Sequence, residues 1–286
     1  MLFSALWASA SSAGKIGLQS AEGLVLFTTR FLIAGVLLLG YAILVQGDRL
    51  PQKKEWQQLT IFGIFNTTVY LGLFIISLQE VTAGITSIAL ALNPLLISTL
   101  TAVWLKRSVT KIEWLSIFIG IVGVIIASYP LLQNSDATVS GLALLATCML
   151  AYSFGSVYYA TIPWKLSRTS INGWQVFIGG MLLIPFMIFF HQKPNQFDPR
   201  FWFSITWLVV PVSIGAVQLW LFLLKSDAVK ASLWLFLCPI FGLFFASYLL
   251  QEPITMFTIF GTLLVLLALV LGQLESVRKN LREAMG

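Results

Sequence analysis

The feature that most constrains this chain is a series of ten long apolar runs separated by short polar breaks. About 20 helical residues, rising 1.5 Å each, cross the roughly 30 Å hydrocarbon core of a bilayer. With 58% hydrophobic and 10% charged residues, the composition is that of a membrane protein. We therefore predict an all-α polytopic membrane protein with ten transmembrane helices. The runs are approximately 2–18, 24–45, 56–78, 81–105, 113–132, 141–163, 171–190, 201–224, 229–250 and 254–274.

The breaks between these runs recur at a spacing of 145 residues. Pro94, near the middle of the fourth run, falls on Pro239 in the ninth, and the breaks of the first half have counterparts in the second without a gap. Because each half holds an odd number of spans, the second half must enter the membrane from the opposite side. We predict two inverted five-helix repeats, at 1–132 and 141–275, followed by a short basic cytoplasmic tail at 276–286.

The basic residues are divided unevenly between the breaks. Of the 17 Lys and Arg residues, thirteen fall on the side of both termini and three on the other, and Arg30 lies inside the second run. Basic loops stay in the cytoplasm, so we predict a multi-pass inner-membrane protein with both termini cytoplasmic. The net charge of +6 is then explained by insertion and by attraction to anionic membrane lipids, without a nucleic-acid partner. The oligomeric state is left open.

Residues that could support catalysis or metal binding are sparse. None of the eleven acidic residues falls in the middle of a run, and the one histidine, His191, sits at the end of a run. Cys148 and Cys238 lie inside runs, 90 residues apart, without the spacing of a metal or redox pair. We expect no cofactor, no metal, no intramembrane proton relay and no enzymatic activity.

Arg30 is the sharpest single signal, because a charged side chain inside a span costs a few kcal/mol. With roughly six residues between it and the outer end of its helix, the side chain can snorkel to the surface. It can also pair with an outer carboxylate, Glu80 or Glu22, or contact a substrate. All three interpretations stay open.

The remaining polar residues at depth are uncharged or aromatic. Asn66 and Tyr70 share a polar face of the third run, and they need either neighbouring helices or a water-filled cavity as partners. Small and weakly polar residues, Ser11 among them, form a stripe on the first run that suits close helix packing or a cavity wall. The candidate substrate-binding residues are Trp7, Ser11, Asn66, Tyr70, Asn93, Tyr152, Gln218 and Trp234.

Several features together indicate a family: the paired halves, the two prolines, Arg30, the stretch from Leu6-Trp7 to Lys15, and Gln251-Glu252-Pro253-Ile254-Thr255 followed by Gly261. With these features the chain resembles the drug/metabolite transporter superfamily, EamA-like branch, over essentially its whole length. The resemblance implies a carrier that exports small metabolites, such as amino acids or aromatic compounds, through a cavity lined by the first four helices of each half. The family usually has Glu in the turn after both proline-containing helices, whereas this chain has Arg107 in the first turn.

These observations predict alternating access, with Pro94 and Pro239 bending symmetric walls of one central cavity. Two alternatives stay open. An exchanger of nucleotide sugars or phosphorylated sugars favours several cations facing the cavity, and only Arg30 and Lys15 qualify. A membrane scaffold without transport activity is the other, and the lack of a soluble domain argues against it.

Overall fold

The computed structural model describes residues 1–77, 80–81, 89–132, 137–250 and 255–285. These ranges are nearly all helical and contain no strand, apart from one isolated bridge between Val81 and Ala137. The main helices are α1 (Leu2–Gly17), α2 (Gly23–Val45), α3 (Lys53–Ser77), α4 (Ala89–Trp104), α5 (Lys111–Ala127), α6 (Val139–Thr161), α7 (Arg168–Phe189), α8 (Pro199–Ser226), α9 (228–250) and α10 (Met256–Met285).

The lengths of these helices fit a membrane protein. Within the described part of the chain, α2, α3, α6, α7 and α8 are 22 to 28 residues long and apolar enough to cross a bilayer. Shorter apolar helices are α4, the segment Ala228–Gly242 of α9 and the segment Met256–Gly272 of α10. The prediction of an all-helical, multi-pass membrane protein is therefore confirmed.

Two of the long helices contain wide turns near their middle. The segment Ile64–Val69 of α3 and the segment Leu208–Ala216 of α8 are π-helical, and the second contains Pro211. A π-helical turn breaks the regular i to i−4 hydrogen bonding and is frequent at functional sites. These two segments are therefore the first places to look for exposed backbone groups and polar side chains with a function.

The prolines of α4 and α9 follow local irregularities. Helix α4 has a turn at Leu92 immediately before Asn93 and Pro94. Helix α9 has a 3₁₀ turn, Trp234–Phe236, three residues before Pro239. Proline has no backbone N–H to donate, so it fits best where the regular hydrogen bonding is already interrupted.

Glycines let two pairs of helices approach closely. Helix α2 crosses α7, where a Cβ on Gly35 would lie 2.6 Å from the Cβ of Phe177. Helix α10 runs along α5, where a Cβ on Gly261 would lie 2.5 Å from the carbonyl oxygen of Gly123. In a bilayer the hydrophobic effect does not drive helices together. Small residues at such contacts let the backbones approach closely, and the resulting van der Waals packing stabilises the helix pair. The other helices pack around α1 and α6, with α1 against α8 and α9 and α6 against α3 and α4.

The segment before α2 is docked onto the segment before α8. The Glu22 carboxylate accepts hydrogen bonds from the N–H groups of Gln192 and Lys193, at 2.8 and 2.7 Å, and lies 2.7 Å from Nδ1 of His191. Desolvation favours the neutral acid, but these hydrogen bonds outweigh it and hold the pKa of Glu22 below its ordinary value of 4.5. Glu22 is therefore ionised at neutral pH and ties these two segments together.

Candidate functional site

Part of the hydrophobic core is a group of aromatic rings, which we call the central ring cluster: buried Phe3, Tyr70, Tyr152 and Trp220, and half-buried Trp7. The centroid of the Tyr152 ring lies 4.7 Å from that of Tyr70, 5.8 Å from that of Trp220 and 6.1 Å from that of Trp7. Phe3 stacks on Trp220 at 5.1 Å. Since these rings belong to α1, α3, α6 and α8, four helices meet at Tyr152.

Polar atoms of the central ring cluster and its surroundings lack partners. The indole Nε1 of Trp220 and the Oδ1 of Asn66 have no hydrogen-bond partner among the described residues, although these side chains are only 1% and 7% exposed. The Tyr152 hydroxyl also has no hydrogen-bond partner among the described residues, and the hydroxyl of Ser156 donates to the Tyr152 carbonyl oxygen at 2.8 Å. An unmade hydrogen bond at a buried atom costs about 1–3 kcal/mol, so these atoms suit a polar ligand or water.

Arg30 carries a positive charge into this region. Its side chain is 5% exposed, and its Nε donates to the Ser213 hydroxyl at 2.8 Å. The guanidinium carbon lies 5.5 Å from the centroid of the Phe27 ring and 5.1 Å from that of Phe31, which is within cation–π range. Phe31, which contacts the guanidinium, belongs to the same hydrophobic core as Tyr70, Tyr152 and Trp220 of the central ring cluster.

A chain of buried hydrogen bonds connects Arg30 to the other side of the bundle. Asn172 of α7 donates to the carbonyl oxygen of Ser213 at 2.9 Å and accepts from Gln175 at 3.2 Å. Gln175 in turn accepts from Thr67 at 2.8 Å and from Asn66 at 3.2 Å. Ser213 lies in the π-helical segment of α8, and Asn66 and Thr67 lie in that of α3, so α7 links the two π-helical segments.

The central charge has no acidic partner in the described part of the chain. The ion pairs found there lie at the ends of the bundle, for example Arg49 with Glu55 and Arg107 with Glu113 and Asp227. No group of three or more His, Cys, Asp or Glu side chains that could hold a metal ion occurs among the described residues. The site can therefore offer a cation, neutral hydrogen-bonding groups and aromatic faces.

The structure brings together four of the residues selected from the sequence. Trp7, Tyr70 and Tyr152 belong to the central ring cluster, and Asn66, four residues before Tyr70 on α3, belongs to the hydrogen-bonded chain on α7. The helical spacing of Asn66 and Tyr70 places both on the inward face of α3, where both are buried.

The other four candidates lie outside this group. Asn93 is buried between α4 and α6, where it accepts from Ser153 at 3.2 Å. Ser11 is exposed and donates to a carbonyl oxygen of its own helix. Trp234 is half-buried, and its carbonyl oxygen accepts a hydrogen bond from the Ser4 hydroxyl at 2.8 Å. Gln218, also half-buried, has an unpartnered Nε2.

Arg30 and Glu80 are not brought together. The Glu80 carboxylate accepts hydrogen bonds from the hydroxyl of Thr138, which caps the start of α6, and from that of Ser140 in the first turn of α6. Arg30 instead binds Ser213 and does not snorkel, because it is held inside by the two phenylalanine rings. Glu252, the residue that the family pattern emphasises, lies outside the described residues.

Sequence reasoning missed several residues of this site. Asn172 and Ser213 were not identified, and Gln175 and Trp220 were not selected among the substrate contacts. A signal for α7 was present, since Asn172 and Gln175 are polar and three residues apart within an apolar run, which puts them on one helix face. Ser213 carried no such signal, because a single serine inside a span is common.

The fold and the site define a multi-pass helical membrane protein with a polar, positively charged centre. The profile of the EamA-like transporter family matches residues 1–129 and 139–272, so the chain belongs to that family. This confirms the resemblance drawn from the sequence and places the protein among membrane transporters of small molecules.

Individual relatives agree with this assignment. The uncharacterized transporter sll0355 of Synechocystis sp. is 25% identical, over 97% of this chain and 90% of the relative. Protein PecM of Dickeya dadantii is 24% identical over 84% and 82% of the two chains. The uncharacterized inner membrane transporter YedA of Escherichia coli K12 is 26% identical over 77% and 71%. A solved crystal structure superposes with a TM-score of 0.82 over 97% of this chain and 96% of the other, at 17% identity, which shows the shared fold.

Proposed function

We propose that the chain forms ten spans in two inverted repeats, at 1–132 and 141–275, around a pseudo-two-fold axis in the membrane plane. The contact between Trp7 and Tyr152 supports this, because these residues are 145 positions apart and their ring centroids lie 6.1 Å apart. Residues exchanged by a two-fold axis meet only where the axis passes between them. The central ring cluster therefore lies on the proposed axis, where inverted-repeat carriers bind their substrates.

The helix crossings support the same symmetry. A Cβ on Gly35 would meet the Cβ of Phe177 at 2.6 Å, and one on Gly180 would meet the Leu32 side chain at 3.3 Å. Both pairs, Gly35 with Gly180 and Leu32 with Phe177, are 145 positions apart. The π-helical segments of α3 and α8 also fall at this spacing.

Contacts between the loops follow the same relation. Glu22 contacts His191 and Lys193, and Ser167, 145 positions after Glu22, contacts Gln46 and Asp48. Each contact joins one repeat to the other. Equivalent contacts thus connect the two proposed repeats at both ends of the bundle.

The distribution of basic residues supports cytoplasmic termini in an inner membrane. A reporter that is active only in the cytoplasm, fused after Gly286, is expected to be active. The same reporter inserted in the segment between α7 and α8, at Asn195, is expected to be silent. The reverse pattern would show that the orientation is inverted.

The function that this arrangement supports best is secondary transport of a small metabolite, such as an amino acid or an aromatic compound, by alternating access. The observation that carries it is the set of unpartnered polar atoms around stacked rings on the proposed axis. Binding there from either side requires the end contacts to open in turn. Export is the direction that the family resemblance implies. The irregular turns before Pro94 and Pro239 are the proposed bending points.

Flux through reconstituted vesicles tests the site. In an uptake panel of amino acids and aromatic metabolites, run with and without a proton gradient, Trp7→Ala is expected to raise the KM for the transported compound about tenfold, because one aromatic face is lost. Tyr152→Phe, which removes only the unpartnered hydroxyl, is expected to raise it about threefold for a compound that hydrogen-bonds there.

Exposed aromatic residues provide matched controls for this panel. Trp202→Ala and Tyr41→Ala, at side chains 50% and 52% exposed, are expected to leave the KM unchanged. Unaltered kinetics in both site variants would remove the central ring cluster from the substrate path. Unchanged flux in both Pro94→Ala and Pro239→Ala would remove the gating part of the proposal.

The alternatives from the sequence are less well supported. An exchanger of nucleotide sugars or phosphorylated sugars needs several cations at the centre. Lys15 is exposed, however. Among the described residues whose exposure is known, Arg30 is the one basic residue that is buried. A scaffold without transport activity does not account for the unpartnered polar atoms. Absence of flux for every compound in the panel would favour the scaffold.

A further inference from the structure

We propose that Arg30 binds the carboxylate of the substrate and that the transported compound is an organic monocarboxylate with an apolar or aromatic body. This rests on the proposed transport function and specifies its substrate class. Arg30 and the central ring cluster then hold the two ends of one ligand, the guanidinium its carboxylate and the rings its body.

Most N–H donors of the Arg30 guanidinium have no hydrogen-bond partner in the described part of the chain. It carries five N–H donors, and in the described part of the chain one of them, at Nε, is used, for the bond to Ser213. Phe27 and Phe31 cover the group with rings that accept no conventional hydrogen bond. A buried charge without an ionic partner is unfavourable by several kcal/mol, so the site gains when an anion binds.

The geometry of the guanidinium suits a carboxylate. Because Ser213 holds Nε, the edge formed by the two η nitrogens remains for a ligand, and two parallel N–H donors match the two oxygens of a carboxylate. Asn172 holds the carbonyl oxygen of Ser213 at 2.9 Å and is itself held by Gln175. The hydrogen-bonded chain on α7 therefore fixes the direction of the Arg30 side chain before the ligand arrives.

The same surroundings disfavour a cation. No acidic side chain pairs with Arg30 among the described residues, and buried Glu113 and Glu55 are paired with Arg107 and Arg49 at an end of the bundle. An ammonium group near Arg30 is repelled by the guanidinium and finds no unpaired carboxylate beside it among the described residues. A compound with one carboxylate and no amine is therefore favoured over the matched amine and the matched zwitterion.

The second repeat supplies a natural replacement for Arg30. Gln175 lies 145 positions after Arg30, and it bonds the π-helical segment of α3 as Arg30 bonds that of α8. Arg30→Gln therefore introduces the neutral residue that the chain already uses at the equivalent place. Arg30→Lys keeps the charge but loses the two-donor edge.

The test measures binding by isothermal titration calorimetry to the full-length protein in lipid nanodiscs. The probes are 3-phenylpropanoate, its amide 3-phenylpropanamide, the amine 2-phenylethylamine and the zwitterion phenylalanine. The unmodified protein is expected to bind the acid about tenfold or more tightly than the other three. Arg30→Gln is expected to lower the affinity for the acid about tenfold without changing that for the amide, and Arg30→Lys is expected to fall between.

A second variant and a flux measurement distinguish a loss of carboxylate recognition from a loss of folding or of transport. If Arg30→Gln does not yield a monodisperse protein, Ser213→Ala provides the test, because it keeps the charge and removes its anchor; a loss of acid affinity without loss of amide affinity supports the proposal. Equal affinity for acid and amide in the unmodified protein, tighter binding of the zwitterion, or a preference for the acid that survives both variants would overturn it. Acid-selective binding without flux in vesicles would overturn the transport function and leave the carboxylate site standing. Flux without any preference for the acid would overturn the carboxylate site and leave the transport function standing.

Discussion

Replacing Arg107 by alanine is expected to lower the free energy of unfolding by about 3 kcal/mol, the low end of the range for breaking a buried ion pair. Arg107 donates to both oxygens of Glu113, at 3.2 and 2.7 Å, and to Asp227 at 2.8 Å. The Glu113 side chain is only 3% exposed, so the variant leaves a buried carboxylate without its cation. Because Asp227 caps the start of α9, the loss also uncouples the α4–α5 turn from the second half of the chain.

Arg49 is a matched control within the same chain. It precedes Glu55 by six residues, as Arg107 precedes Glu113, and it makes the same two-donor contact at 2.7 Å. Its side chain is 42% exposed and it has no second acidic partner among the described residues, so Arg49→Ala is expected to lower the free energy of unfolding much less than Arg107→Ala does.

Denaturation in detergent micelles, followed by circular dichroism, measures both losses. A double-mutant cycle of Arg107→Ala with Asp227→Asn then gives the part of the energy that joins the two halves. Equal losses for the two arginine variants would contradict the expectation and show that burial of Glu113 contributes little.

The second large effect is expected at the contact between α5 and α10. Gly261→Ala places a methyl group 2.5 Å from the backbone nitrogen of Ala127 and from the carbonyl oxygen of Gly123. Backbone atoms in a helix cannot move aside as a flexible side chain can, so the two helices must separate. We expect a loss of about 2–3 kcal/mol, the upper range for overpacking a tight contact.

Gly40→Ala is the control for this variant. A Cβ at Gly40 meets no heavy atom within 4 Å, and alanine favours a helix more than glycine does. The control is therefore expected to unfold at the same denaturant concentration as the unmodified protein or at a slightly higher one. If Gly261→Ala behaved like Gly40→Ala, the helices would not be in close contact at this point.

Part of the site could be predicted from residue types alone. Asn66, Tyr70 and Tyr152 stand out because polar and aromatic groups inside apolar runs need partners, and the structure places them together. Asn93 has the same property, yet it bonds Ser153 and Met149 between α4 and α6. Residue type thus signals that a partner is needed, but it does not say whether the partner is a neighbouring helix or a ligand.

Arg30 shows the same limit more sharply. Its position in the second run predicted an unfavourable buried charge or a route to the surface, and Glu80 was a reasonable partner because both were predicted to lie towards the outer side. In the structure, Glu80 bonds Thr138 and Ser140, and Arg30 turns to Ser213, 183 positions away. Such a contact depends on which helices are neighbours, and hydropathy carries no information on that.

The membrane class, the helical architecture and the family follow from the sequence, because a bilayer requires apolar spans whose backbone groups bond within each helix. These requirements act along the chain and are visible as runs and breaks. Three features depend instead on how the helices rotate and cross. They are the hydrogen-bonded chain on α7, the position of Arg30 between Phe27 and Phe31, and the contact of Trp7 with Tyr152. Rotation and crossing are set by small-residue contacts such as Gly35 with Phe177, so they appear only when the helices are packed.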